Sequence, residues 1–237
     1  MTTSGTATFN LDVAELCEEA FERCGSQLRS GYDLRTARRS LNLLTIEMAN
    51  RGINLWTIEQ GAIPLVAGQA TYNLPVDTID LMDMVIRTGT NQNQSDINIS
   101  RIAEPTYSTI PNKNAQGRPI QVWVERLSGA TTPSGVANPR ITVWPVPDNS
   151  QPYTFVYWRL RRIQDAGSGG TKTMDIPFRF LNCMVAGLAF YLAMKIQGVD
   201  PNRALMLKQE YEQQLQFAQD EDRERAPVRF VPRAMFY

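Results

Sequence analysis

Asp77, Asp80 and Asp83 recur every three residues just after Pro75. On one short helical face, capped by Asp77, three carboxylates could gather a hard cation such as magnesium, which takes oxygen ligands. The same spacing also describes a plain solvated face. No second acidic cluster stands near it in the sequence, so we assign no metal ligand. Gly167-Ser168-Gly169-Gly170-Thr171-Lys172-Thr173 lies between a strand and a helix, where a phosphate-cradling loop would sit. Such a loop needs glycine immediately before the lysine, yet Thr171 stands there, and Asp175 puts a carboxylate at the expected helix start. The segment reads as a flexible hinge.

Two arginine groups are the remaining candidates: Arg35, Arg38, Arg39 and Arg51 on one helix, and Arg159, Arg161 and Arg162 at a strand end. Arginine pairs bidentately with phosphate, but it pairs as well with carboxylates, and surface or intersubunit pairing is the expectation. The chain has no histidine, which removes the most frequent general base near neutral pH and the commonest metal ligand. It also lacks a G-x-S-x-G elbow. No catalytic residue, metal or cofactor is therefore assigned, and the expectation is a protein that is not an enzyme.

Lysine plus arginine number 24 and aspartate plus glutamate 24, so no global charge draws the chain to nucleic acid or a membrane. With 43% hydrophobic residues in 237, a packed core is within reach. Cys17, Cys24 and Cys183 fall on apolar helical positions and are odd in number, which predicts buried free thiols. The longest apolar run, Cys183 to Met194, is shorter than the ~20 residues of a membrane span. The first thirty residues show no basic start followed by an apolar run, so no secretory signal is expected.

The elements that must carry these residues follow from periodicity. Asp12 with Glu15 predicts a capped helix whose apolar face holds Val13, Leu16, Cys17, Ala20, Phe21 and Cys24, ending near Gly25. A second helix is predicted from Asp33 to Gly52 through Leu34, Ala37, Leu41, Leu44 and Met48, packed antiparallel on the first. Strands are predicted near 55–66, 82–88, 97–102, 120–127, 140–145 and 152–163. The polar loops Thr90–Asp96 and Ser128–Pro139 show no apolar anchor of their own and should order only against a partner. Phe178–Ile196, begun by Asp175 and Pro177, predicts the most buried helix. A last one starts at Asp200-Pro201 with Ala204, Leu207, Tyr211, Leu215 and Ala218 on one stripe.

The expected fold is α+β: a discontinuous helical bundle with a β-rich insertion and an extended C-terminal arm. Residues 1–54 form the first half of the bundle and 55–165 the insertion. Residues 166–225 form a linker and the second half, and 226–237 the arm. In that arm Pro227 and Pro232 bar helix, while Val228, Arg229, Phe230, Val231, Arg233, Met235, Phe236 and Tyr237 mix apolar anchors with basic groups. Such a segment suits docking along a groove or sheet edge.

Three stretches resemble the head-to-tail adaptor proteins of short-tailed and some other tailed bacteriophages. They are Asp33 through Trp56, with Arg51-Gly52-Ile53-Asn54-Leu55-Trp56; Gly68-Gln69-Ala70-Thr71-Tyr72-Asn73-Leu74-Pro75-Val76-Asp77; and Tyr211 to Ala226 with the proline-broken, aromatic-ended exit. The resemblance implies a structural virion protein of the neck, made in the host cytoplasm, that forms a ring, typically dodecameric. It implies as partners the portal protein, a tail nozzle or tail tube protein, and packaged DNA crossing the channel without sequence-specific binding. It also implies that the C-terminal arm docks on the portal. Two alternatives stand beside it: another neck or tail subunit, such as a nozzle or head-completion protein, and a metal-dependent nucleic-acid-processing enzyme built on Asp77, Asp80 and Asp83.

Overall fold

A computed structural model describes residues 3–223 apart from Asn54, Ser134 and Gly169. In chain order the elements are α1 (Val13–Cys24), α2 (Gly31–Asn50), β1 (Ile58–Pro64), β2 (Thr71–Asn73), β3 (Thr78–Thr88), β4 (Ser95–Asn98), β5 (Ser100–Ile102), α3 (Glu104–Ser108), β6 (Gln121–Glu125), β7 (Thr131–Thr132), β8 (Gly135–Val136), β9 (Arg140–Trp144), β10 (Tyr153–Arg161), α4 (Leu181–Ala193) and α5 (Pro201–Glu221). The fold is mixed α+β. The chain folds into two units, a discontinuous one that runs up to Trp56 and resumes at Ile163, and a continuous one, Thr57–Arg162.

In the discontinuous unit the helix starts are written in side chains. Asp12 accepts the Glu15 amide at 2.8 Å while Glu15 accepts the Asp12 amide at 3.0 Å, a reciprocal capping box. Gly25 closes α1 in the left-handed region at φ 79°. The second helix begins earlier than periodicity suggests, because Ser30 is its cap and Asp33 the third helical residue of a second capping box. Asp200 caps α5 with Pro201 at its first position, as expected.

Helix α4 is apolar on nearly every face, and Cys183, Met184, Val185, Ala186, Leu188, Ala189 and Leu192 are all buried. It packs on α1, α2 and α5, and α1 touches α2 less extensively than either touches α4. Its start differs from expectation: a 3-10 turn at Phe178–Phe180 precedes Leu181, and neither Asp175 nor Pro177 caps it. Instead the Asp175 carboxylate accepts the Gln164 amide at 3.0 Å, and its backbone carbonyl accepts Trp56 Nε1 at 2.9 Å. Cys17, Cys24 and Cys183 are buried free thiols. Burial pushes them up to about 12, 11 and 12 respectively, so they remain protonated.

The continuous unit contains two four-stranded sheets, ordered β1-β10-β3-β4 and β2-β9-β6-β5, plus the small β7-β8 hairpin. Both sheets feed one core: Leu81, Ile86, Tyr153, Phe155 and Tyr157 from the first, and Tyr72, Val122, Ile141 and Val143 from the second. The short strand β2 had no periodic signal, and its ordering comes from a side chain. Gly68 turns the chain at φ 80°, and the Tyr72 hydroxyl then folds back to donate to the Gln69 carbonyl at 2.8 Å. It also accepts the Val66 amide at 2.9 Å.

The two polar loops have more structure of their own than the sequence suggested. Within Thr90–Asp96, Ser95 opens β4 against β3, and Asp96 beside it receives a two-pronged contact from Arg87 at 2.8 and 2.9 Å. Within Ser128–Pro139 the β7-β8 hairpin forms, and Gly129 sits so close to Val76 that a Cβ there would lie 2.8 Å from its Cγ2.

Gly187 marks the tightest approach in the helical core. A Cβ at this position would lie 2.8 Å from the Tyr211 ring and 2.9 Å from both Leu44 methyls, so α2 and α5 converge on α4 at a residue that has no side chain. Gly187→Ala should therefore lower stability by about 1–3 kcal/mol through overpacking. Gly31→Ala, at an open first helical position, should be neutral or stabilise by up to about 1 kcal/mol. Denaturant unfolding of both variants would check the contrast, and equal effects would refute the packing account.

Candidate functional site

The acidic triad is not on a helix. Asp80 and Asp83 lie inside β3, and Asp77 immediately precedes it. In the β3-β10 ladder Leu81 faces Arg159 and Asp83 faces Trp158, so Met82 is skipped; Thr78 faces Arg161 and Asp80 faces Leu160, so Ile79 is skipped. Each bulge adds one residue to a two-residue pleat, and the result is the three-residue recurrence that reads as helical. The carboxylates do not converge. Asp77 pairs with Arg159 at 2.6 Å, Asp80 with Arg101 at 2.8 Å and Arg126 at 3.3 Å, and Asp83 is exposed. No group of three acidic, cysteine or histidine residues that could hold a metal exists among the described residues. The metal-enzyme alternative therefore loses its only candidate site.

Arg159 and Arg161, at the end of β10, pair with carboxylates of the β unit. Arg159 bridges Asp77 and Glu59, the latter at 3.0 Å, and Arg161 meets Glu59 at 2.6 Å. Burial works against ionised Asp77, but the hydrogen bond and charge of Arg159 outweigh it and hold the carboxyl below its ordinary range.

The glycine-rich segment does not cradle an anion either. Its carbonyls face the start of α1: the Val13 amide donates to Lys172 O at 2.9 Å and the Ala14 amide to Gly170 O at 3.0 Å. The segment thus presents carbonyl acceptors to the first amides of α1, the opposite polarity to an anion cradle. Arg38 Nη1 also holds Gly167 O at 3.2 Å, and a Cβ on Gly170 would lie 2.6 Å from the Ala14 Cβ. The segment is fastened to α1, which corrects the hinge expectation.

The expected docking arm, Pro227 to Tyr237, lies outside the described residues. Within them, the unexplained surface is on α2 and α5. Tyr32, Arg35, Arg39, Leu43, Ile46 and Asn50 are all exposed and spaced three or four apart, one continuous stripe opposite the buried one. On α5, Met206, Gln209, Gln213, Phe217 and Asp220 form a like stripe, with Leu205, Glu212 and Gln216 beside it. Met206 is 68% and Phe217 55% exposed, values at odds with an ordinary solvated helix face. Arg35 and Arg39 have no hydrogen bond or ion pair among the described residues, whereas Arg51 pairs with Glu47. The sequence signal for these stripes was present as a second three-four spacing on each helix.

An open cleft of about 1040 Å³ lies where the end of α1, the start of α2 and the end of α4 meet, with Arg29, Tyr32, Arg39 and Lys195 on its walls. Lys195 Nζ donates to Ser40 Oγ at 2.6 Å, and Asp33 is engaged as a cap, so the cleft presents no nucleophile and base within reach of one another. No helix among the described residues is long and apolar enough to cross a membrane.

A fold of one helical and one β-sheet unit, with side-chain charges engaged in holding strands and caps, has the character of a structural component. The family model of the SU10 adaptor proteins matches residues 11–231, and the chain belongs to that phage head-to-tail adaptor family. No curated protein matches it.

The Arg159 cluster gives a direct test. Arg159→Ala leaves Asp77 and Glu59 facing each other and should cost about 1–3 kcal/mol at neutral pH. Because Asp77 has a lower pKa folded than unfolded, its contribution is present above the unfolded carboxyl value and fades as pH falls through the folded one. The gap between wild type and variant should accordingly narrow in acid. Thermal melts from neutral to acidic pH would show this, and a constant gap would contradict it.

Proposed function

We propose that the chain is a non-enzymatic structural subunit of a phage particle, assembling as a ring, most simply a dodecamer, between the portal and the tail. The observation that carries this reading is the family match over residues 11–231, nearly the whole chain. In this reading the helical unit builds the ring body and the β unit meets a tail nozzle or tail tube protein. The ring extends the channel through which DNA passes and helps retain the packaged genome.

The C-terminal segment Pro227 to Tyr237 is proposed as the arm that docks on the portal. Its prolines disfavour helix, and in this reading Phe230, Met235, Phe236 and Tyr237 supply anchors flanked by Arg229 and Arg233. Electron microscopy of the purified protein with its portal should show a ring stacked on the portal, in the neck. No ring and no complex would remove the reading. A chain ending at Ala226 should melt nearly as wild type does yet fail to attach stably to the portal. Unfolding of that truncation, or undiminished attachment, would contradict the arm.

A further inference from the structure

We propose that neighbouring copies join by laying the outer stripe of α2 from one copy antiparallel on the outer stripe of α5 from the next. This rests on the ring reading above and names the surfaces that would build it. Each stripe is graded along its length. On α2 the basic end carries Arg35 and Arg39 and the apolar end Leu43 and Ile46; on α5 the apolar end carries Leu205 and Met206 and the other end Glu212, Phe217 and Asp220.

Spacing matches as well as charge. Arg35 and Ile46 stand eleven residues apart, as do Met206 and Phe217, a separation of about 16 Å along a helix. Antiparallel apposition therefore sets Ile46 against Met206 and Arg35 against Phe217, with Arg39 opposite Gln213 beside Glu212, Leu43 opposite Gln209, and Asp220 one turn beyond Phe217. Arginine over the Phe217 ring adds a cation–π contact to the ion pairs. The acids are free to change partners. Among the described residues, Asp220 contacts only Arg223 three residues on, and Glu212 only Lys208 at 3.7 Å, with all four side chains at least half exposed.

Other pairings of the same surfaces fit worse. Two α2 stripes laid antiparallel bring Arg35 and Arg39 onto Ile46 and Leu43, burying cations against aliphatics. Two α5 stripes bring Met206 onto Asp220. A parallel α2-α5 pair aligns Tyr32 with Met206 and Leu43 with Phe217, but it sets Ile46 against Asp220 and moves Arg35 from Phe217 and Asp220 to Gln209. The favoured contact joins two different surfaces, so every copy offers one of each, and repetition builds a ring where the rotation between copies closes, instead of stopping at a dimer.

The test uses two full-length variants with exposed charges reversed. One carries Arg35→Glu with Arg39→Glu; the other carries Glu212→Lys with Asp220→Lys. Helix content and melting by circular dichroism establish that each is folded. Assembly, alone and on purified portal, is then followed by native mass spectrometry and electron microscopy. Each variant by itself should assemble at least about tenfold more weakly than wild type. Mixed one to one they should recover, because the glutamates of one α2 meet the lysines of the other α5 and the native pair remains intact at the alternate contact. Wild-type assembly by both variants, or loss by both without recovery on mixing, would overturn the pairing while leaving the ring reading standing. Failure of wild type to assemble in either setting would remove the ring reading and this inference together.

Discussion

Everything in the helical unit depends on covering α4. A helix apolar on nearly all faces cannot rest on one neighbour; it needs partners around its circumference, and α1, α2 and α5 supply them. Two of those partners lie before the β unit in sequence and one after it. The core therefore closes only when the segment following Arg162 returns to the segment ending at Trp56. Ala37, Leu41, Leu44 and Met48 from the first half and Leu207, Tyr211 and Leu215 from the second share one cluster with α4.

The β unit is built to permit that return. Its first and last strands, β1 and β10, are antiparallel neighbours with Ile58 facing Leu160, so the chain enters and leaves side by side. The ion pairs of Glu59 with Arg159 and Arg161 clamp the same two strands at their exit. Arg159, with a side chain only 12% exposed, also reaches Asp77 at the start of β3. One partly buried cation thus ties three strands, and the geometry that could have suggested phosphate binding is used to close a sheet.

Charge use differs between the surfaces of the protein. In the β unit Asp77, Asp80, Glu125 and Asp96 each engage an arginine of the same unit. On the outer faces of α2 and α5, by contrast, aliphatic and aromatic side chains stand exposed beside arginines that have no partner among the described residues and carboxylates held only by local pairs. Exposed apolar groups in line with charged ones on a rigid helix are what an assembling subunit presents.

Local physical rules made much of the fold legible in the residues. A capping box acts within four residues, so Asp12 with Glu15 and Asp200 with Pro201 announced α1 and α5. The stripe Leu207, Tyr211, Leu215 and Ala218 likewise states which face of α5 is inward. The family resemblance was carried by Gly68, Tyr72, Leu74 and Pro75, whose role is a turn held by the Tyr72 hydroxyl. What tertiary structure decided was each feature set by a distant partner. The two bulges in β3 depend on register with β10, some eighty residues away, so Asp77, Asp80 and Asp83 looked helical when they were not. The glycine-rich segment looked free because the α1 amides that hold its carbonyls lie more than 150 residues earlier. And the same three-four spacing appears on both sides of α2. The stripe Leu34, Ala37, Leu41, Leu44 and Met48 was legible as the packed one, but that Leu43 and Ile46 stand exposed on the other side is decided by α4 covering only one face of α2.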